Sequence, residues 1–285
     1  MEKSSQKTYQ TILEQEITEG LRELDRSMAG LFISGVSAGL DVSFSLFLIA
    51  VMMTITRGQM GPAVQEILSA AMYRVGFVLV VLGRSELFTE HTTRAVYPVL
   101  HGRAPVLRLF RLWAVIYVAN LVGTAVFAEI AAAIGPALGV IDSRVLGEIA
   151  ERVVDHPGWV IFFSGLLAGW LMGLLSWLVS AARDTTSQVL LVGLITWSIG
   201  IAHLHHAVVG SVEVLAGIFA RQGVEFRGFG HFLLWTTLGN AAGGVFFVAL
   251  FKYGHVIRGG AEPAEVKLEE PSPIILDGSS DSLPK

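Results

Sequence analysis

His203, His205, His206 and Glu213 stand close together in an otherwise apolar stretch. An ionisable group in such a stretch usually faces a bundle interior and marks an ion path or a proton relay. Histidine titrates nearest neutrality, so it can lend a proton to a weak-acid anion and take it back. On a continuous helix His203 and His206 would share one face and His205 would point elsewhere. Not all three can then face one path. One rival is a set of hydrogen-bonded packing residues, and another is zinc held by three imidazoles and a carboxylate. No His-Glu-x-x-His pattern and no second ligand cluster accompany them, so no metal is expected.

A second polar run, Glu86-Leu87-Phe88-Thr89, breaks another apolar segment. Irregular backbone at membrane depth survives only where protein buries it or water lines it. Leu87 and Phe88 could form an apolar constriction that gates by dewetting, and Thr89 offers a hydroxyl to a passing ion or to freed backbone groups. The bland alternative is an interfacial loop. Asn120 and Asn240 are buried-amide candidates for holding each break by hydrogen bonds to freed carbonyls. Asp41 and Arg84 are candidates to pair, since an unpaired charge at depth is costly. Arg152 is a further cation near the same segments.

The elements that must position these residues are repeated. Ser34-Gly35-x-x-Ala38-Gly39 recurs as Ser164-Gly165-x-x-Ala168-Gly169, and Asn120-x-x-Gly123 recurs as Asn240-x-x-Gly243. The run from Glu86 to Thr89 has a counterpart around His206 to Gly210. Each half holds three apolar segments with the middle one interrupted. A duplicated odd number of spans gives halves of opposite orientation, with the path near the midplane between the interrupted helices. The spans are read as Leu31 to Ile55, Ala70 to Leu100 with a break, Trp113 to Ile134, Trp159 to Ala182, Ser187 to Ala220 with a break, and Phe229 to Phe251. The piece from Ala70 to Gly83 is too short to cross a core of about 30 Å.

Composition agrees with an all-α membrane protein of six transmembrane helices. The 285 residues are 53% hydrophobic and only 15% charged, against roughly 25% charged in soluble domains. Cysteine is absent, which removes disulfides, thiolate metal sites and a thiol nucleophile. A net charge of −4 points to no nucleic-acid partner. Residues 1–28 are expected to be a cytoplasmic tail and an amphipathic helix from Tyr9 to Met28, lying on the membrane or against a neighbouring subunit. Residues 29–256 form the transmembrane unit, and 257–285 a disordered tail. Arg94, Arg103, Arg108 and Arg111 crowd the loop after the second span, while acids dominate the loop after the third. The positive-inside rule then places both termini in the cytoplasm.

These residues together resemble the formate/nitrite transporter family. Leu87-Phe88-Thr89 after an acid looks like the loop motif of its broken second helix. The run from Tyr117 to Gly123 is similar to its third-helix pattern, and Thr237 to Gly244 to its sixth. His206 falls where the family places its pore histidine. Gly83-Arg84-x-x-Leu87-Phe88-Thr89-Glu90 looks most like the divergent YfdC-like branch. The resemblance implies an aquaporin-like fold of two inverted three-helix repeats, a homopentamer with a pore in each subunit, and a bacterial inner membrane location. It implies conduction of small monovalent anions such as formate or nitrite, with no enzyme activity and no cofactor. Leu87 and Phe88 would shape one constriction, and Tyr73, Phe77 and Ile199 another apolar one. Three departures matter. No lysine lies between Lys7 and Lys252, so the family's anion-attracting lysine is replaced by nothing or by Arg152. The asparagine usual after the pore histidine is Gly210. A small loop residue is Arg84, a candidate for anion attraction. A small neutral-solute pore, an intramembrane metal-dependent enzyme and a membrane scaffold are the rival functions.

Overall fold

The computed structural model describes residues 7–259. The expectations for residues 1–6 and for the tail beyond Gly259 lie outside the described residues. Ile257 and Arg258, which the sequence assigned to the tail, instead end the last helix.

Helix α1 (Tyr9–Asp25) starts at Thr8, whose hydroxyl accepts from the Thr11 N–H, and gives way to α2 (Met28–Thr56) after two residues. Its apolar stripe does not face lipid or a neighbouring subunit. Leu13 and Ile17 are fully buried in the core of the same chain.

The six spans are α2; α3 (Pro62–Gly83) with α4 (Phe88–Arg94); α6 (Val106–Ala137); α8 (Gly158–Ala181); α9 (Thr185–Ile201) with α10 (Ala207–Phe219); and α11 (Phe226–Ala242), which continues through a π-helical stretch (Gly243–Leu250) into α12 (Phe251–Arg258). The short α5 (Val96–Leu100) follows α4. α3 is longer than its apolar core suggested. Pro62 opens the helix well before Ala70, and Gln65 and Glu66 belong to it. With 22 residues it is long enough to cross. The acidic loop expected after the third span is largely helix α7 (Ser143–Val154), capped by Asp142 and packed by Leu146 and Ala150 against α10.

The two halves are inverted repeats joined by close helix crossings. α2 packs along α6, and α8 along α11. A Cβ added at Gly39 would strike the Asn120 carbonyl, and one at Gly169 would strike the Asn240 carbonyl. Small residues permit this approach, which drives packing where lipid removes the hydrophobic incentive.

Candidate functional site

Each broken helix is held by one asparagine in the same way. Asn120 Oδ1 accepts from Phe88 N–H at 2.8 Å, and its Nδ2 donates to the carbonyls of Gly35 and Glu86 at 2.8 and 2.9 Å. Asn240 Oδ1 accepts from Ala207 N–H at 2.8 Å, and its Nδ2 donates to Gly165 and His205 at 2.8 and 3.0 Å. Ser34 Oγ accepts from Glu86 N–H and Ser164 Oγ from His205 N–H. Before each break the chain makes a left-handed turn, at Arg84 with φ 53° and at His203 with φ 50°. Such a turn is uncommon for residues other than glycine and ends the helix sharply.

This pattern corrects the repeat register. Glu86 matches His205, and Leu87 matches His206, one residue away from the expected alignment. It also corrects the argument from helix faces. Residues 203–206 are not helical, so three-residue spacing says nothing about a shared face.

The three histidines separate. His206 is buried at the N-cap of α10, where its Nδ1 accepts from Val209 N–H at 3.2 Å. The proton of the neutral ring is therefore on Nε2, which lies 2.8 Å from Thr89 Oγ1 and donates to it. That contact bridges the two broken helices. Phe77 meets the imidazole edge-on at 5.2 Å between centroids, and Tyr73 packs on Phe77 at 5.3 Å. His205 is held by Ser164 at 2.8 Å and by the Val153 carbonyl at 3.1 Å. His203 is exposed and lies 3.1 Å from Glu66.

Two cavities flank this buried layer. One, of about 90 Å³, opens beside α7 and reaches His206; Tyr73, Ile199, Arg152 and Glu213 are among its walls. The other, of about 790 Å³, lies under α1 and is lined by Arg84, Ser85 and Glu86 among others. Phe77, Leu87 and Thr89 are fully buried and line neither cavity. Phe88 is turned toward α6, with its ring 4.7 Å from Tyr117 and 6.1 Å from Trp113.

The expected cations have different fates. Arg152 pairs with Glu66 at 2.7 Å, so its charge is matched. Arg84 and Asp41 do not pair. Asp41 accepts from Ser37 at 3.2 Å and Ser85 at 3.3 Å, while Arg84 makes no ion pair among the described residues.

One cluster was not visible in the sequence. His91 Nδ1 is 2.7 Å from Glu23 and its Nε2 is 2.5 Å from Glu86. Arg26 pairs with Glu86, and Arg94 with Glu90 at 2.6 Å and Glu23 at 3.3 Å. Glu23, Glu86 and His91 are near enough to suggest a metal. The carboxylates sit on opposite edges of the ring, however, and do not converge with one ring nitrogen on a common point. They form an ion-paired bridge from α1 to the broken second span. The signal available was Glu16 and Glu23 on the same stripe of α1 as Ile12, which marks acids turned toward a partner.

Inverted three-helix repeats, paired breaks at mid-depth and cavities on either side define a polytopic channel or transporter. The comparisons with known proteins agree. The family described as formate/nitrite transporter matches residues 10–254, and the chain belongs to it. The inner membrane protein YfdC of Escherichia coli (strain K12) is 31% identical over 241 residues, which are 84% of this chain and 76% of that protein. The nitrite transporter NirC of Salmonella typhimurium is 27% identical over 248 residues, 85% of this chain and 88% of that one. A solved FNT family ion channel superposes with a TM-score of 0.75 at 24% identity, covering 85% of this chain and 97% of that chain. A pentameric formate channel with formate bound gives 0.69 at 23% identity, covering 79% and 96%. These two likenesses show the fold.

Proposed function

We propose that this chain conducts small monovalent weak-acid anions of the formate and nitrite class across a bacterial inner membrane. The unit that does so is residues 29–256, assembled as a homopentamer with both termini in the cytoplasm. The observation that carries the reading is the His206–Thr89 contact between the two cavities, where the broken helices meet. An anion leaving either cavity meets an apolar layer of Phe77 and Leu87, where a bare charge is costly. The Nε2–H of His206 is the donor at that point. For His206 to protonate the passenger, Nδ1 must take a proton from the cavity, giving up the Val209 N–H bond, as Nε2 hands its own proton to the anion. The passenger then crosses uncharged, and the ring returns the proton afterwards. Leu87, Phe88 and Thr89 form the gating segment, with Phe88 acting through its grip on α6. Tyr73, Phe77 and Ile199 form the apolar constriction on the α7 side. Arg84 draws anions into the larger cavity, and Asn120 and Asn240 keep the breaks open.

The test is flux through purified protein in liposomes. Formate and nitrite should cross faster than in protein-free vesicles and faster at pH 5.5 than at 7.5. His206→Phe should flatten that pH dependence while leaving the oligomer intact. Equal flux with and without protein would remove the transport reading; an unaltered pH profile in His206→Phe would remove His206 as the proton-exchanging group.

A further inference from the structure

The smaller cavity holds a carboxylate that the path above does not use. Glu213 lies on α10, two turns past His206, and faces the cavity that ends at that histidine. Its carboxylate has no hydrogen bond and no ion pair among the described residues. Ile49 and Met53 of α2 and Ile199 of α9 supply apolar parts of the same cavity wall.

The other ionisable groups nearby leave that charge uncompensated. On α3, Glu66 is matched by Arg152 of α7 and by His203, and Tyr73 carries no charge to offer. His205 and His206 are engaged by the bonds described above. On α7, Arg144 pairs with Asp142 and Glu148 with Arg57, while Glu151 is exposed. Tyr117 of α6 is bonded to Thr237, and Arg108, Arg111 and Glu129 of α6 and Arg227 and His231 of α11 are exposed. On α4, His91, Glu90 and Arg94 belong to the ion cluster under α1.

An anion that reaches His206 from the α7 side must therefore pass an unpaired acid. In a narrow space of low effective dielectric, two like charges a few Å apart repel by several kcal/mol, and a protonated carboxyl does not repel at all. We propose that Glu213 is a specificity-determining residue: an acid filter that excludes anions from this cavity when ionised and admits them when protonated. The inference rests on the transport reading and adds the residue that decides which charge state can enter this cavity. While Glu213 is ionised, a small weak acid can still enter without net charge, whereas anions of strong acids such as nitrate are rejected; protonation of Glu213 lifts the barrier for both.

The experiment uses the full chain in liposomes, with formate and nitrate uptake followed at pH 5.5 and 8.0 in the wild type, Glu213→Gln and Glu213→Asp. Glutamine keeps the shape and removes the charge; aspartate keeps the charge. Glu213→Gln should raise formate uptake at pH 8.0 by about tenfold, leave it nearly unchanged at pH 5.5, and admit at pH 8.0 the nitrate that the wild type excludes there. Glu213→Asp should keep the wild-type profile, which also shows that the site tolerates substitution. If Glu213→Gln elutes as the same oligomer, and its formate profile and nitrate exclusion equal those of an active wild type, the filter is overturned and transport stands. A wild type that moves neither formate nor nitrite overturns the transport reading, and the filter with it.

Discussion

Asn120 and Asn240 show how much one side chain can hold. Each is fully buried and bonds three backbone groups, two at its broken helix and one carbonyl of the neighbouring α2 or α8. A buried backbone group left without a partner costs about 1–3 kcal/mol. Asn120→Ala and Asn240→Ala should each therefore lower stability by on the order of 3 kcal/mol or more, read as the shift in unfolding free energy in detergent. The two losses should be similar, because the two sets of partners match bond for bond. A loss confined to one of them would show that the repeats share geometry without sharing energetics. Leu87 and His206 occupy equivalent positions in these matched breaks. The apolar layer and its single donor are thus two versions of one repeat position, differentiated by side chain alone.

At the scale of elements, α1 gives the clearest pH dependence. Glu16 lies on its buried face, 3.1 Å from Ser176 Oγ and also bonded to Ser180 of α8. Burial pushes the Glu16 carboxyl above its ordinary value of 4.5, although Arg94 and the serine hydroxyls pull the other way. Docked α1 then binds this proton more tightly than undocked α1. The Glu16 contribution is full below the ordinary carboxylate value and is lost as pH rises through the raised one. Amide exchange across residues 9–25, corrected for intrinsic rates, should show stronger protection at pH 5 than at pH 8. Glu16→Gln should shrink the difference, the His91–Glu23 pair accounting for what remains; a difference of unchanged size in that variant would remove Glu16 as its source.

The sequence made the spans and both interruptions legible, since a bilayer demands long apolar runs and tolerates breaks only where something holds them. The asparagines and the small residues were readable for the same reason. Boundaries were less so: Gln65 and Glu66 lie beyond the apolar core of α3, so Pro62 was the better marker of its start. α7 was lost because a short amphipathic helix among acids looks like a loop. The one-residue register shift at the breaks could not be read, because His-His-Ala and Glu-Leu-Phe share no side-chain pattern and only the backbone bonds align them. The pairing of Arg152 with Glu66, and of His91 with two acids, depends on tertiary contacts that no local spacing encodes.

On the proposed reading, one chain supplies the whole path. His206, Thr89, Phe77, Glu213 and the walls of both cavities all come from one chain. Apolar side chains also remain exposed in rows, with Val118, Val122, Val126, Ile130 and Ile134 marking one stripe of α6 and Trp159, Phe163, Leu167 and Trp170 marking another on α8. Lipid or neighbouring subunits cover such surfaces, and neither is needed to complete the site. A pentamer in which every subunit conducts alone makes a quantitative prediction. Ser69 lines the smaller cavity, so Ser69→Trp should plug that subunit without touching the breaks. In mixed pentamers with half of the subunits plugged, flux should fall to about half, whereas one shared central path needing all five subunits would keep only about 3%. Co-reconstitution at several mixing ratios, with subunit content read by native mass spectrometry, separates a straight line from a fifth power. A fifth-power decline would mean that the passage assigned to each chain is not the route taken.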